Sequence, residues 1–310
     1  MEKTADPRRA HPPGARFGTW RAPDGWALRR MDWPQDGGGK PRGSLIFASG
    51  RADFIEKYLE ALAHWHGRGW NVTAFDWRGQ GGSQGTGFEF DGFNALVDDL
   101  AALIAEWREG VCGPHVAIGH SMGGHLLLRA LVEAKPRLDA AVLVAPMILV
   151  NSAPIPNWLA PGLAYTMCRL GFRKTPMWNT PPATRRPGSQ RQRFLTGSTE
   201  RYEDEAWWWA RAPSWNLGAP TWGWMSAAFR SAAAAFTSER LGGVALPVLL
   251  LGAEHDRLVS PAEIRRVAAQ LPNAELEMFP DSGHEILRET DPVRLRALAR
   301  IDDFLERRAR

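Results

Sequence analysis

The sequence predicts a doubly wound α/β domain, its sheet mostly parallel, with a helical cap inserted into it. Three observations predict this. From about residue 44 short apolar runs alternate with amphipathic helical stretches, which is the pattern of a parallel sheet carrying helices on both faces. The alternation stops at about 147 and resumes at about 246. The interval is Pro-rich and holds eight of the 15 tryptophans, from Trp158 to Trp224.

In chain order, residues 1–16 are rich in Pro, Arg and small residues and are expected to form a loosely attached arm. "TWRAPDGWALRRMDWP" reads as a hairpin turning at Asp24-Gly25. "SLIFASG" (44–50) is a buried parallel strand ending at Gly50. Phe54, Ile55, Tyr58, Leu59, Leu62 and Trp65 follow at helical spacing, closed by Gly67 and Gly69. "NVTAFDW" (71–77) is the next strand, and Phe93 to Trp107 mark an amphipathic helix ended by Gly110. "HVAIGHS" is a strand, "MGGHLLLRALVEA" a helix stopped before Pro136, and "AAVLVAP" another strand. After the interval, "PVLLLGAEHD" is a strand. Ser260, Pro261 and Glu263 supply an N-cap, an N1 proline and a capping-box glutamate for a helix. "AELEMFPDSGH" is the last strand and loop, and Asp291-Pro292 starts the final helix. The expected organisation is an arm at 1–16, a core at 17–146 and 246–310, and a Trp-rich cap at 147–245.

Composition narrows the function classes. A chain of 310 residues with 44% hydrophobic and 23% charged residues is an ordinary globular chain able to bury a large core. The net charge of +4 comes from arginines that form no long stripe, so no nucleic-acid partner is expected. The densest basic cluster, "TRRPGSQRQR" (184–193), reads as a solvated loop. Cys112 and Cys168 lie far apart and give no disulfide framework, and the N-terminus shows no apolar leader, so a cytoplasmic location is expected. Residues 140–168 are uncharged, but Pro146, Pro154, Pro156 and Pro161 interrupt them, which argues against a membrane span. His64 and His66, two apart on a helix, point in different directions, so no metal site is expected. "GQGGSQG" does not fit a dinucleotide loop and no phosphate-loop lysine motif occurs, so no cofactor is expected.

Chemistry enters with "GHSMGG", Gly119 to Gly124. A G-x-S-x-G match arises by chance in about one chain in ten of this length, so its place and its partners decide. Ser121 stands where a buried strand meets a buried helix, at the sheet edge where open α/β folds place ligands. Gly119 and Gly123 lack the Cβ atoms that would collide in a sharp strand-to-helix turn, so the serine can be held strained and exposed as a nucleophile. The following helix aims its N-terminus at an anion forming above it. Of eight histidines, His284 in "DSGH" follows the last strand on that same edge and is the candidate base. His120 and His125 are tied to the turn's own backbone, and His255 is a weaker choice. Asp256, ending "PVLLLGAEHD", is the candidate orienting carboxylate, ahead of Glu254. An oxyanion needs backbone N–H donors: Met122, next to the serine, and Arg51 in "ASGRAD", where Gly50 permits close approach.

These residues resemble the α/β-hydrolase serine esterases of the bacterial lysophospholipase and monoacylglycerol-lipase-like branch. The likeness is carried by "SGRADFIEKY", "FDWRGQGGS", "GHSMGG", "LLLGAEHDRLV", "FPDSGHEIL" and, in the cap, "GAPTWGW", and it spans about residues 25–308. It implies Ser121, Asp256 and His284 as a triad, with Arg51 and Met122 as oxyanion donors. It also implies a structural role for Asp76 and Arg78. Ser49-Gly50 departs from the His-Gly that relatives in the lipase branch often carry at this loop. The expected activity is hydrolysis of a lysophospholipid or monoacylglycerol-like ester through an acyl-enzyme. The same triad would serve an amidase or peptidase, and the scaffold would also serve a non-catalytic receptor. Some cap tryptophans pack onto the core, while Trp222 and Trp224 are candidates to line an acyl pocket. The expected partner is a lipid ester, with peripheral membrane contact through the cap and no obligate protein partner.

Overall fold

Eight apolar segments pair into one sheet in a computed structural model that describes residues 6–87, 92–181 and 186–309. The strands are β1 (Arg16–Arg21), β2 (Ala27–Trp33), β3 (Gly43–Ala48), β4 (Trp70–Phe75), β5 (His115–His120), β6 (Ala140–Val144), β7 (Val248–Ala253) and β8 (Ala274–Phe279). Their order in the sheet is β1-β2-β4-β3-β5-β6-β7-β8. The hairpin strands β1 and β2 are antiparallel, and every pairing from β4 to β8 is parallel. Strands β3 and β7 are buried along their whole length, as strands covered on both faces must be.

The helices of the core are α1 (Leu59–Gly67), α2 (Gly92–Gly110), α3 (Met122–Glu133), α9 (Pro261–Gln270) and α10 (Asp291–Arg308). Leu62 and Trp65 of α1 and Ile301 and Phe304 of α10 pack on one face of the sheet. Leu100 and Ile104 of α2, Leu127 of α3 and Val267 of α9 pack on the other. Alternation along β5 divides accordingly, with Val116 and Ile118 in the first core and Ala117 in the second. The result is the α/β-hydrolase fold.

Register sets where function can lie. Ala48 stands beside Phe75 and Gly119, His120 beside Val144, and Val144 beside Leu251. The carboxyl ends of β3, β4, β5, β6 and β7 therefore line one edge. The loops carrying Gly50, Asp76, Ser121 and Asp256 all leave from it.

Between β6 and β7 the chain leaves the sheet and builds α4 (Ala160–Arg169), α5 (Gln190–Leu195), α6 (Thr199–Trp209), α7 (Trp222–Ala235) and α8 (Ser238–Gly242). Helix α7 packs on α4, α2 and α3, while Trp208 of α6 joins the opposite core.

Three expectations change. Residues 6–15 of the arm are tied down, because their side chains meet carboxylates of α6 and of the loop after β3. Arg8 pairs with Glu200 at 3.1 Å and Arg9 with Asp204 at 2.7 Å. His11 lies 2.9 Å from Glu56, and Trp208 donates to the Arg8 carbonyl at 3.0 Å; residues 1–5 lie outside the described residues. The basic stretch read as a solvated loop contains α5, started by Ser189 accepting from the Gln192 N–H, and its Arg191 pairs with the buried Glu205. Thr184 and Arg185 of that stretch lie outside the described residues. At α9, Ser260 accepts from the Glu263 N–H at 3.3 Å with Pro261 at N1. The Glu263 carboxylate turns away to Arg266, and the Ser260 N–H goes to the Leu149 carbonyl. Only half of the capping box forms.

Candidate active site

Helix α3 starts directly from the end of β5, and the turn between them is made by one residue. Ser121 sits there at φ 52° and ψ −115°, a backbone conformation that costs an L-residue on the order of 1–3 kcal/mol and persists only when its surroundings enforce it. Enforcement comes from backbone bonds: the Ser121 N–H donates to Val144, and its carbonyl accepts from His125 and Met147. The flanking glycines permit the approach. A Cβ on Gly119 would lie 2.6 Å from the Gly123 carbonyl oxygen, and one on Gly123 would overlap the Ala48 carbonyl.

His284 and Asp256 reach the serine from the loops after β8 and β7. His284 Nε2 is 2.8 Å from Ser121 Oγ, and its Nδ1 is 2.7 Å from Asp256 Oδ2. Asp256 is itself oriented, its Oδ1 accepting from the N–H groups of Leu258 and Val259. With its Nδ1–H donated to the carboxylate, the ring would turn an acceptor Nε2 toward Ser121, an arrangement suited to a general base. Glu254 turns outward to Arg265, and His255 is exposed. Burial opposes the charged form of His284, but the Asp256 charge and hydrogen bond, together with the Glu285 and Asp53 charges, more than offset it and raise the pKa. A base must be neutral to accept the proton. The acid limb of kcat/KM for a neutral ester is therefore expected above the ordinary imidazole value of about 6.5. A pH–rate profile checks this, and a limb below that value would contradict the pairing with Asp256.

The loop after β3 lies against the serine: a Cβ on Gly50 would be 3.2 Å from Ser121 Cβ. Arg51 follows Gly50 on that loop, and Met122 opens α3, where its N–H has no carbonyl four residues back inside the helix. The Arg51 side chain meets a carbonyl rather than an acid. Both its terminal nitrogens donate to Gly218 O at 3.0 Å, and its guanidinium lies 5.4 Å from the Trp224 ring centroid. Burial pulls its pKa down to about 10.

Of the two cap tryptophans singled out in the sequence, Trp224 is buried, packing on Phe93 and under Arg51, while Trp222 is partly buried. Thr221 caps α7 by accepting from the Trp224 N–H. Asp76 accepts from the Ile55 and Gly82 N–H groups, and Arg78 pairs with Asp24 and Asp99; both hold loops. His125 is buried between Met147 O and Ser231 Oγ, and burial lowers its pKa to about 3. His64 bonds Asp302 and His66 bonds Pro34 O.

Sequence reading missed the support behind His284. The loop's backbone is pinned by α5, with His284 and Glu285 N–H donating to the carbonyls of Phe194 and Leu195. Glu285 and Asp53 both bind Lys57. The one signal available was the rarity of lysine, since Lys57 is one of five and stands within an apolar helical pattern.

Comparison with known proteins places the chain in a family. Residues 39–291 match the family described as serine aminopeptidase, S33. Lysophospholipase L2 of Escherichia coli K12 is 30% identical over 287 residues, covering 85% of this chain and 80% of that protein. The probable lysophospholipase L2 of Haemophilus influenzae is 27% identical over 272 residues, covering 84% and 83%. A soluble variant of the Saccharomyces cerevisiae monoglyceride lipase superposes with a TM-score of 0.75 at 16% identity, over 98% of this chain and 99% of that one. An eight-stranded sheet of this order, a serine on a strained turn at its edge and a family match over most of the chain lead to one conclusion. The chain belongs to the serine aminopeptidase S33 family, as a lysophospholipase- and monoacylglycerol-lipase-like α/β hydrolase.

Proposed function

We propose that the protein cleaves a lysophospholipid or monoacylglycerol-like ester through an acyl-enzyme on Ser121. It is an ester hydrolase. The observation that carries the proposal is the unbroken line of hydrogen bonds from Asp256 through His284 to Ser121. Ser121 Oγ attacks the ester carbonyl as its proton passes to His284 Nε2. The oxyanion is held by the N–H groups of Arg51 and Met122. Collapse expels the alcohol, which takes the proton from His284. Water, deprotonated by the same ring, then attacks the acyl-enzyme and releases the acid.

In this reading residues 147–245 are a cap over Ser121, with Trp222 and Trp224 contributing apolar wall. The protein is cytoplasmic and meets a membrane peripherally through the cap. No helix among the described residues is long and apolar enough to cross a membrane. The surface around α4 supports peripheral contact: Trp158, Tyr165, Leu170 and Trp178 are 81%, 54%, 65% and 53% exposed. Residues 140–199 contain seven Arg or Lys and no Asp or Glu. Exposed aromatic and apolar side chains interspersed with cations suit the interface of an anionic bilayer.

A hydrolysis panel tests both parts. Lysophospholipids and monoacylglycerols are expected to turn over at least tenfold faster than amino-acid p-nitroanilides, whose preference would make the protein an amidase. Sedimentation with vesicles is expected to show tighter binding to phosphatidylcholine containing phosphatidylglycerol than to phosphatidylcholine alone. Trp158→Ala should weaken it severalfold without slowing a short soluble ester. Equal binding to both vesicles would remove the electrostatic part of the proposal.

A further inference from the structure

A buried ionic cluster stands behind the site. Lys57 Nζ lies 2.6 Å from Asp53 Oδ1, 2.7 Å from Glu285 Oε1 and 3.0 Å from Glu205 Oε1. Arg191 pairs with the other oxygen of Glu205, and Arg288 with the other oxygen of Glu285. Three cations thus face three carboxylates, and the set is neutral. Burial alone would raise Glu285, yet the Lys57 and Arg288 charges hold it at about 2. Burial likewise opposes the charged Asp53, which Lys57 and His120 keep well below the ordinary carboxylate range. The tie stays ionised across the working pH range.

Each carboxylate belongs to a different segment of the fold. Asp53 shapes the loop after β3, its Oδ2 accepting from the Gly50 N–H at 2.9 Å and from Tyr58 Oη at 2.8 Å. Tyr58 Oη is also 2.8 Å from His120 Nδ1, and the His120 ring packs 5.1 Å from the His284 ring. Glu285 adjoins His284, and Glu205 stands on α6, beyond the sheet. Taking such groups out of water costs several kcal/mol per ion, and well-packed apolar residues often serve stability as well or better. Stability alone is therefore a weak reason for a lysine here. Geometry supplies a stronger one.

We infer that Lys57 is a positioning residue, which sets the separation of the oxyanion loop from His284 by holding Asp53 and Glu285 on one ammonium. This rests on the proposed roles of Ser121, His284 and the Arg51 N–H. An oxyanion donor or base displaced by about 1 Å costs on the order of a hundredfold in rate. The loss falls on the transition state rather than on substrate binding.

The test separates position from folding. Lys57→Met alone leaves an uncompensated buried charge and is expected to lower Tm sharply. Lys57→Met with Asp53→Asn removes one cation and one carboxylate and leaves Glu205 on Arg191 and Glu285 on Arg288, so the cluster stays neutral and Tm is expected to recover most of that loss. On a short p-nitrophenyl ester the double variant should still show kcat 10- to 100-fold below wild type, with KM within about twofold. Affinity for a boronic acid transition-state analogue should weaken in parallel. Glu205→Gln alone keeps the Asp53–Lys57–Glu285 tie and should lose less than the double variant. Recovery of kcat along with Tm in the double variant would overturn the inference, as would an equal loss in Glu205→Gln alone. Wild-type protein without ester turnover would instead overturn the proposed activity beneath it.

Discussion

Ser121→Ala is expected to lower kcat for a short p-nitrophenyl ester by about 10⁴- to 10⁶-fold, with Tm within about 2 °C of wild type. The two halves of this result have separate causes. The hydroxyl bonds His284 Nε2 at 2.8 Å, and on the proposed mechanism no acyl-enzyme can form without Oγ. Residual catalysis over water would come from the oxyanion donors and binding alone. The fold does not depend on the hydroxyl, because the turn is held by backbone bonds from Ser121 to Val144, His125 and Met147. Alanine inherits the same φ of 52° at a similar cost. Fluorophosphonate labelling of wild type and its absence in the variant complete the measurement. A variant retaining a tenth of the activity would place the nucleophile elsewhere.

Gly123→Ala should be the most damaging substitution in the turn, lowering stability by more than about 4 kcal/mol or abolishing soluble expression. The added Cβ overlaps the Ala48 carbonyl and lies 2.5 Å from the Ser49 carbonyl. Both atoms are backbone, so no rotamer change relieves the clash. The strand end must shift, and it carries Gly50 and Arg51. Gly124→Ala is the graded control, since its Cβ would meet the Gly119 carbonyl and Pro146 at 3.0 Å, where a few tenths of an ångström suffice. Urea unfolding of the two variants should therefore rank them clearly. A stable, active Gly123→Ala protein would mean that α3 does not seat on β3 as described.

Much of the fold and the meeting of Ser121, Asp256 and His284 were legible because their signals are local. Gly119 and Gly123 frame Ser121 within five positions, and each of the three residues follows an apolar run short enough to be a buried strand. Parallel pairing then brings the loops to one edge without further information. What was not legible is held by long-range charge. Lys57 finds Glu205 148 positions away and Glu285 228 positions away, and no period or spacing announces such a pairing. The Arg51 side chain ends on the Gly218 carbonyl, and backbone is an acceptor that residue types do not reveal. Arg191 looked solvated because its carboxylate, Glu205, belongs to a later helix. Tryptophan content did not distinguish the buried Trp224 from the exposed Trp158.

The bonds that tie down residues 6–15 have a consequence for the order of events at the ribosome. Arg8 and its partner Trp208 are 200 positions apart, and Arg9 and Asp204 are 195 apart. At about 5–20 residues per second, translation leaves the earlier partner waiting roughly 10–40 s for the later one. Arg8 and Arg9, made early, are therefore among the last residues to find their places. During that interval the hairpin and the first parallel strands can assemble beneath a segment that is still free.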